Sequence, residues 1–144
     1  MKENLLISAC LIGTPCRYDG KSVEKIDLSP LKEKYNLIPI CPEIYGGLST
    51  PRVPSERVGD RVIMKDGSDV TENYKRGAVW SLNFAVLNDC KKALLKERSP
   101  SCGKGYIYDG SFSGTLTARS GVTAELLSEA GIEVFGEGEL DKLF

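Results

Sequence analysis

Leu5-Leu6-Ile7-Ser8-Ala9-Cys10 decides how this chain is read. The run is short and apolar, and it ends in a loop, residues 11–20, with turn signals at Gly13-Thr14-Pro15 and Asp19-Gly20. Residues 4–9 therefore read as a buried strand. Two further runs have the same character. Leu37-Ile38-Pro39-Ile40 leads into Cys41, and Ala93-Leu94-Leu95 opens the stretch that ends at Cys102. If these runs are parallel strands, three thiols emerge along one edge of one sheet. Ligands of open α/β sheets bind at that edge.

Helical signals fill the gaps between the strands. Residues 29–35 read as a helix with Ser29 as N-cap and Pro30 at its first position. Thr71 reads as the cap of a long helix from Glu72 to about Asn88, with Tyr74, Ala78, Leu82, Ala85 and Val86 inward. Residues 118–130 read as another helix, with Val122, Leu126, Leu127 and Ala130 inward and Gly131 ending it. Strands are expected at 36–41, 92–97 and 132–135. Residues 42–58 and 103–116 read as long loops, and residues 61–70 as a small hairpin turning at Asp66-Gly67. Alternating strands and helices predict one α/β domain over residues 1–144, in three layers, with a mostly parallel sheet and a small β-hairpin excursion.

Composition narrows the function. At 144 residues, with 41% hydrophobic and 27% charged residues, the chain fits one soluble globular domain. A net charge of −1 supplies no basic face for a polyanion, so stable nucleic-acid binding is not expected. No run approaches the roughly 18 apolar residues of a membrane span. The N-terminal apolar run lacks a small-residue cleavage site and does not read as a signal peptide. A cytoplasmic protein with reduced thiols is expected. Oligomeric state stays open, a homodimer included.

The chain has 5 cysteines and no histidine. Their spacing fits neither a disulfide framework nor the short paired spacing of structural zinc sites. Cys10, Cys41 and Cys102 suit an iron–sulfur cluster, which accepts thiolates from distant parts of a fold. Three ligands would leave one iron free as a Lewis acid. The competing reading makes these thiols small buried core residues. Cys90, at a helix end, reads as core, and Cys16 as a ligand, a substrate-facing thiol or a loop residue. Glu43, two residues after Cys41, is placed to move protons beside a bound substrate. Ser99 and Ser101 flank Pro100 and could position water or substrate, or simply form a turn. Arg17, Asp19, Arg52 and Glu56 could read a ligand's polar edge or tie loops together.

Several motifs occur together and in order: Ile7-Ser8-Ala9-Cys10-Leu11-Ile12-Gly13, Cys16-Arg17-Tyr18-Asp19-Gly20, Cys41-Pro42-Glu43, Gly46-Gly47-Leu48, Pro51-Arg52, residues 66–71 and Ser99-Pro100-Ser101-Cys102-Gly103. In these the chain resembles the thiouracil desulfidase (TudS-like) family over nearly its whole length. The resemblance implies a Rossmann-type domain that holds a 4Fe–4S cluster by Cys10, Cys41 and Cys102. It implies a catalytic glutamate at Glu43 and a catalytic serine at Ser99 or Ser101. The implied reaction removes sulfur from a thiolated uracil, without net redox change, to give uracil and sulfide. The small-molecule partner is then a thiolated pyrimidine, and the absence of basic charge favours a free base or nucleoside. A metal- or cluster-stabilised binding module without turnover is the alternative.

Overall fold

A computed structural model describes residues 2–20 and 26–144. Its centre is a parallel four-stranded sheet in the order β2-β1-β5-β8. The strands are β1 (Glu3–Ser8), β2 (Tyr35–Ile40), β5 (Lys92–Leu95) and β8 (Glu133–Gly136). Register pairs Ile7 with Pro39 on one side and with Leu94 on the other, and Leu94 with Phe135. Pro39 is tolerated because β2 is an edge strand, where a missing N–H disrupts no second ladder.

β1 is apolar on both faces because both are covered. Leu5 and Ile7 enter one core with Leu31, Tyr35, Leu94, Phe135 and Leu143. Leu6 enters the other with Ala85, Ala93, Leu95, Ala124 and Leu127. The first core is covered by α1 (Ser29–Lys34) and by a C-terminal 3-10 segment, Glu137–Leu143, whose Leu143 carbonyl accepts from the Tyr35 hydroxyl at 2.6 Å. The second is covered by α3 (Thr71–Leu87) and α4 (Val122–Glu129). The result is the three-layer, Rossmann-like arrangement expected from the sequence. Among the described residues no helix is long and apolar enough to cross a membrane.

Several local expectations are corrected. Ser29 and Thr71 lie inside their helices. The side chains that accept their N–H groups are Asp27 and Asp69, at 3.0 and 2.9 Å. Thr71 instead accepts from the Val62 N–H, which fixes the start of α3 to the neighbouring hairpin. Val86 is 67% exposed and Ala130 faces solvent, while Thr123 and Ala124 take inward places. Residues 42–58 are not one long loop. They contain α2 (Pro42–Tyr45) and β3 (Ser55–Val58), and β3 pairs antiparallel with β4 (Arg61–Met64). The expected hairpin at 61–70 is present: the Asp66-Gly67 turn folds residues 68–70 back antiparallel onto β4, with Ile63 bridging Asp69 and the Val70 N–H donating to the Val62 carbonyl at 2.9 Å. Residues 103–116 hold β6 (Ile107–Tyr108), which pairs with β7 (Leu116–Thr117).

One close approach fixes α2. A Cβ on Gly77 of α3 would stand 2.0 Å from the Pro42 carbonyl oxygen, and one on Gly46 would stand 2.0 Å from that of Asn73. The two helices meet backbone to backbone, which only glycine permits.

Candidate active site at the carboxyl ends of the strands

Chain direction across the sheet reverses at β1: β2 lies on one side, and β5 and β8 on the other. A crevice opens at such a switch point, beyond the strand ends. A cavity of about 490 Å³ occupies it, and Cys10, Cys16, Cys41 and Cys102 all line it. Each thiol is delivered by a turn that its own sequence dictates. Cys10 lies in a 3-10 turn, Ala9–Ile12, closed by Gly13 at φ 98°. Cys41 is the extended residue before α2, whose first position is Pro42. Cys102 follows Pro100 in a turn closed by the Gly103 N–H on the Ser99 carbonyl, at 2.8 Å. Cys90 is elsewhere, buried in the core with Ala85 and Ala93, as expected.

Cys16, left open by the sequence, stands in hydrogen-bonding contact with the thiols of both Cys10 and Cys41. The bond with Cys10 is the largest influence on it, and its pKa is pushed up to about 11. The Cys41 thiol is raised by its bond with Cys16 and by burial. Burial raises Cys102 as well, and the nearby Glu43 charge adds to this, while the Ser8 and Ser101 hydroxyls act against it. Among the described residues, no three His, Cys, Asp or Glu side chains are disposed around a point to hold a single metal ion. The thiols are arranged around a space.

Glu43 lines the same cavity from the first turn of α2. Arg52 Nη2 donates to Glu43 Oε2 at 2.9 Å, in a pair whose side chains are 4% (Arg52) and 15% (Glu43) exposed. The same guanidinium donates to the carbonyls of Cys16 (3.3 Å) and Ser49 (3.2 Å) and to Thr50 Oγ1 (3.1 Å). Arg52 therefore ties loops together and orients Glu43. This pairing was not legible in the sequence.

The two serines separate cleanly. Ser99 lines the cavity, and its Oγ accepts the N–H groups of Ser101 (3.1 Å) and Cys102 (3.0 Å). With its lone pairs used, its one O–H is left to donate. Ser101 is fully buried, shares a 2.8 Å hydrogen bond with Thr123 Oγ1, and is not part of the cavity wall. Arg17 and Asp19 form a loose pair at 3.8 Å, with Arg17 at the cavity. Glu56 is 9% exposed and accepts from the Gly110 and Phe112 N–H groups. Tyr74, from α3, also reaches the cavity wall, a role its helical spacing did not signal.

A family profile described as 2-thiouracil desulfurase matches residues 5–139. The chain belongs to the 2-thiouracil desulfurase family. Within it, the chain is 40% identical over 149 residues to the uncharacterized protein YbbK of Bacillus subtilis (strain 168), covering 96% of this chain and 99% of that one. A solved structure, the [4Fe-4S]-dependent thiouracil desulfidase TudS, superposes with a TM-score of 0.94 at 45% identity, over 99% of this chain and 95% of that one. In this desulfurase family member each ligand candidate lies in the segment that follows a strand of the central sheet.

Proposed function

We propose that this protein is a thiouracil desulfidase that holds a 4Fe–4S cluster by Cys10, Cys41 and Cys102. Membership of the 2-thiouracil desulfurase family and the likeness to the TudS structure support the activity and the cofactor. The observation that carries the reading is the convergence of three strand-end thiols with Glu43 and Ser99 on one cavity. The residues fit the group. The donors are all thiols, no histidine exists in the chain, and the cavity of about 490 Å³ is of ligand-binding size. Thiols disfavoured as free anions, Cys41 by its bond with Cys16 and by burial and Cys102 by burial, would become thiolates on binding iron, which couples loading to proton release.

When bound, the cluster would supply a soft Lewis-acidic iron with one open position for the substrate sulfur. The chain's own residues supply the rest. Glu43 accepts the proton of a water that attacks the thiocarbonyl carbon. Arg52 keeps that carboxylate aimed into the cavity and away from the solvent side. Ser99 donates its free O–H to the water or to the oxygen it becomes. A carbon–oxygen bond forms, the carbon–sulfur bond breaks, and sulfur leaves as hydrosulfide with no change in oxidation state. Substrate is read as a free base or nucleoside. All five cysteines are free thiols, as a cytosolic site would require.

The test is anaerobic purification and reconstitution, with iron and sulfide analysis and a sulfide-release assay on 2-thiouracil and 4-thiouracil. Cys→Ser changes at positions 10, 41 and 102 are expected to abolish iron binding, and Cys90→Ser to retain it. A protein that binds no iron and releases no sulfide refutes the proposal. A Glu43→Gln protein that keeps iron but loses turnover separates an enzyme from a binding module.

A further inference from the structure

The tip of the β6–β7 hairpin, Asp109-Gly110-Ser111-Phe112-Ser113-Gly114, is held in an unusual way. Glu56 reaches it from β3, and one oxygen, Oε1, accepts both the Gly110 N–H (3.0 Å) and the Phe112 N–H (3.1 Å). Bonds to an ionised carboxylate are stronger than neutral ones, and this residue is nearly buried. Gly110, at φ 97°, lies directly on β3, where a Cβ would stand 2.6 Å from Val58 Cγ2. Between these anchors Phe112 adopts φ 55°. That conformation is costly for a bulky side chain, and a turn alone would be served better by Gly or Asn. A strained residue that neighbouring groups hold in place points to a function at that spot. Phe112 lines the same cavity as Cys10, Cys41 and Cys102.

We propose that the Phe112 ring is the stacking wall for the flat face of the substrate's pyrimidine, and that Glu56 is the residue that positions it. The inference rests on the desulfidase reading and names how that site selects its substrate. Thiols and Glu43 act on a thiocarbonyl, which thioureas and thioamides also carry. A ring face adds a contact that only a planar heteroaromatic compound satisfies. Base–aromatic stacking is sequence-tolerant, so this wall would accept thiouracil with sulfur at either ring position.

The test uses the reconstituted holoenzyme, with kcat and KM for 2-thiouracil and for 5,6-dihydro-2-thiouracil, which keeps the thiocarbonyl but not the planar ring. Calorimetric binding of uracil, which does not turn over, gives a second readout. Phe112→Leu is expected to raise KM for 2-thiouracil, and the uracil Kd, by about 10-fold, with the loss falling on KM rather than kcat. The dihydro compound is expected to be affected far less, so discrimination between the two collapses. Phe112→Tyr, which retains the ring, is expected to recover most of the loss. Glu56→Ala is expected to mimic Phe112→Leu, while Glu56→Gln, whose amide oxygen still accepts both N–H groups, is expected to rescue it. A wild-type enzyme inactive on thiouracil removes the underlying desulfidase reading. An active wild type, with KM and uracil Kd changed by less than about twofold in both Phe112→Leu and Glu56→Ala, overturns the assignment of Phe112 alone.

Discussion

Replacing Arg52 by Met removes one half of a buried ion pair and leaves the other in place. Glu43 then keeps a carboxylate that is 15% exposed with no cation opposite it. The carbonyls of Cys16 and Ser49 and the hydroxyl of Thr50 also lose a donor. Breaking a buried pair from one side costs about 3–5 kcal/mol, and the residual solvent contact of Glu43 places this case near 3. For a domain of this size that corresponds to a fall in Tm of roughly 6–12 °C. Guanidinium unfolding of the cluster-free, reduced protein should show the midpoint move with the slope unchanged. The double variant Glu43→Gln/Arg52→Met should recover part of the loss, because the stranded charge is gone, and so yield a coupling of about 1–3 kcal/mol. Sulfide release by the loaded Arg52→Met enzyme should also fall, since Glu43 is no longer aimed. A variant within about 0.5 kcal/mol of wild type, with no coupling in the cycle, would refute the argument that this pair is a buried organising contact.

Other outcomes follow from the same geometry. Ser99→Ala, which removes the hydroxyl proposed to donate to the attacking water, should lower kcat for sulfide release by about 100-fold or more. Ser101→Ala should cost about 1 kcal/mol through the lost Thr123 bond, readable by denaturant unfolding, and much less of the activity. Gly77→Ala drives a Cβ into the Pro42 carbonyl, so about 1–3 kcal/mol of destabilisation should accompany a fall in kcat as α2 moves Glu43. Asp69 is held at about 2, against its ordinary 3.8, chiefly by its hydrogen bonds from Thr71 and also by Arg61. The folded-state value is depressed, so the stability this brings is present above pH 3.8 and lost as pH falls toward 2. Acid unfolding of Asp69→Asn should lack that part of the dependence.

The sheet was legible because its strands are short apolar runs bounded by turn residues, and Leu5-Leu6-Ile7 has no amphipathic alternative. Edge placement of the thiols followed from that alone. Periodicity did not fix the rotation of the helices. Val86 sits one position past the fully buried Ala85 and so faces solvent, and Ala130 lies beyond the end of α4. Ser29 and Thr71 are good capping types but are the first residues of their helices, one past the cap positions Leu28 and Val70, and Asp27 and Asp69 reach forward to accept their N–H groups. α2 is a single turn that follows β2 with only Cys41 between them, too short for any periodic signal. The Arg52–Glu43 pair and the Glu56 clamp on Phe112 join segments that only the folded chain brings together. Sequence named three of those four residues, all but Phe112, without saying which faces which.

The strand-end thiols at positions 10, 41 and 102 also set an order of events during synthesis. Cys10 and Cys41 leave the ribosome long before β5 exists to insert beside β1 and bring Cys102 to them. Parallel pairing over such separations is slow, because chain entropy is lost before contacts form. Through that interval the nascent chain carries Cys10 and Cys41 outside the folded site, where exposed thiols are open to oxidation. On the proposed ligand set, iron could load only after Cys102 has emerged and β5 has paired with β1, and a bound metal would then favour the folded state.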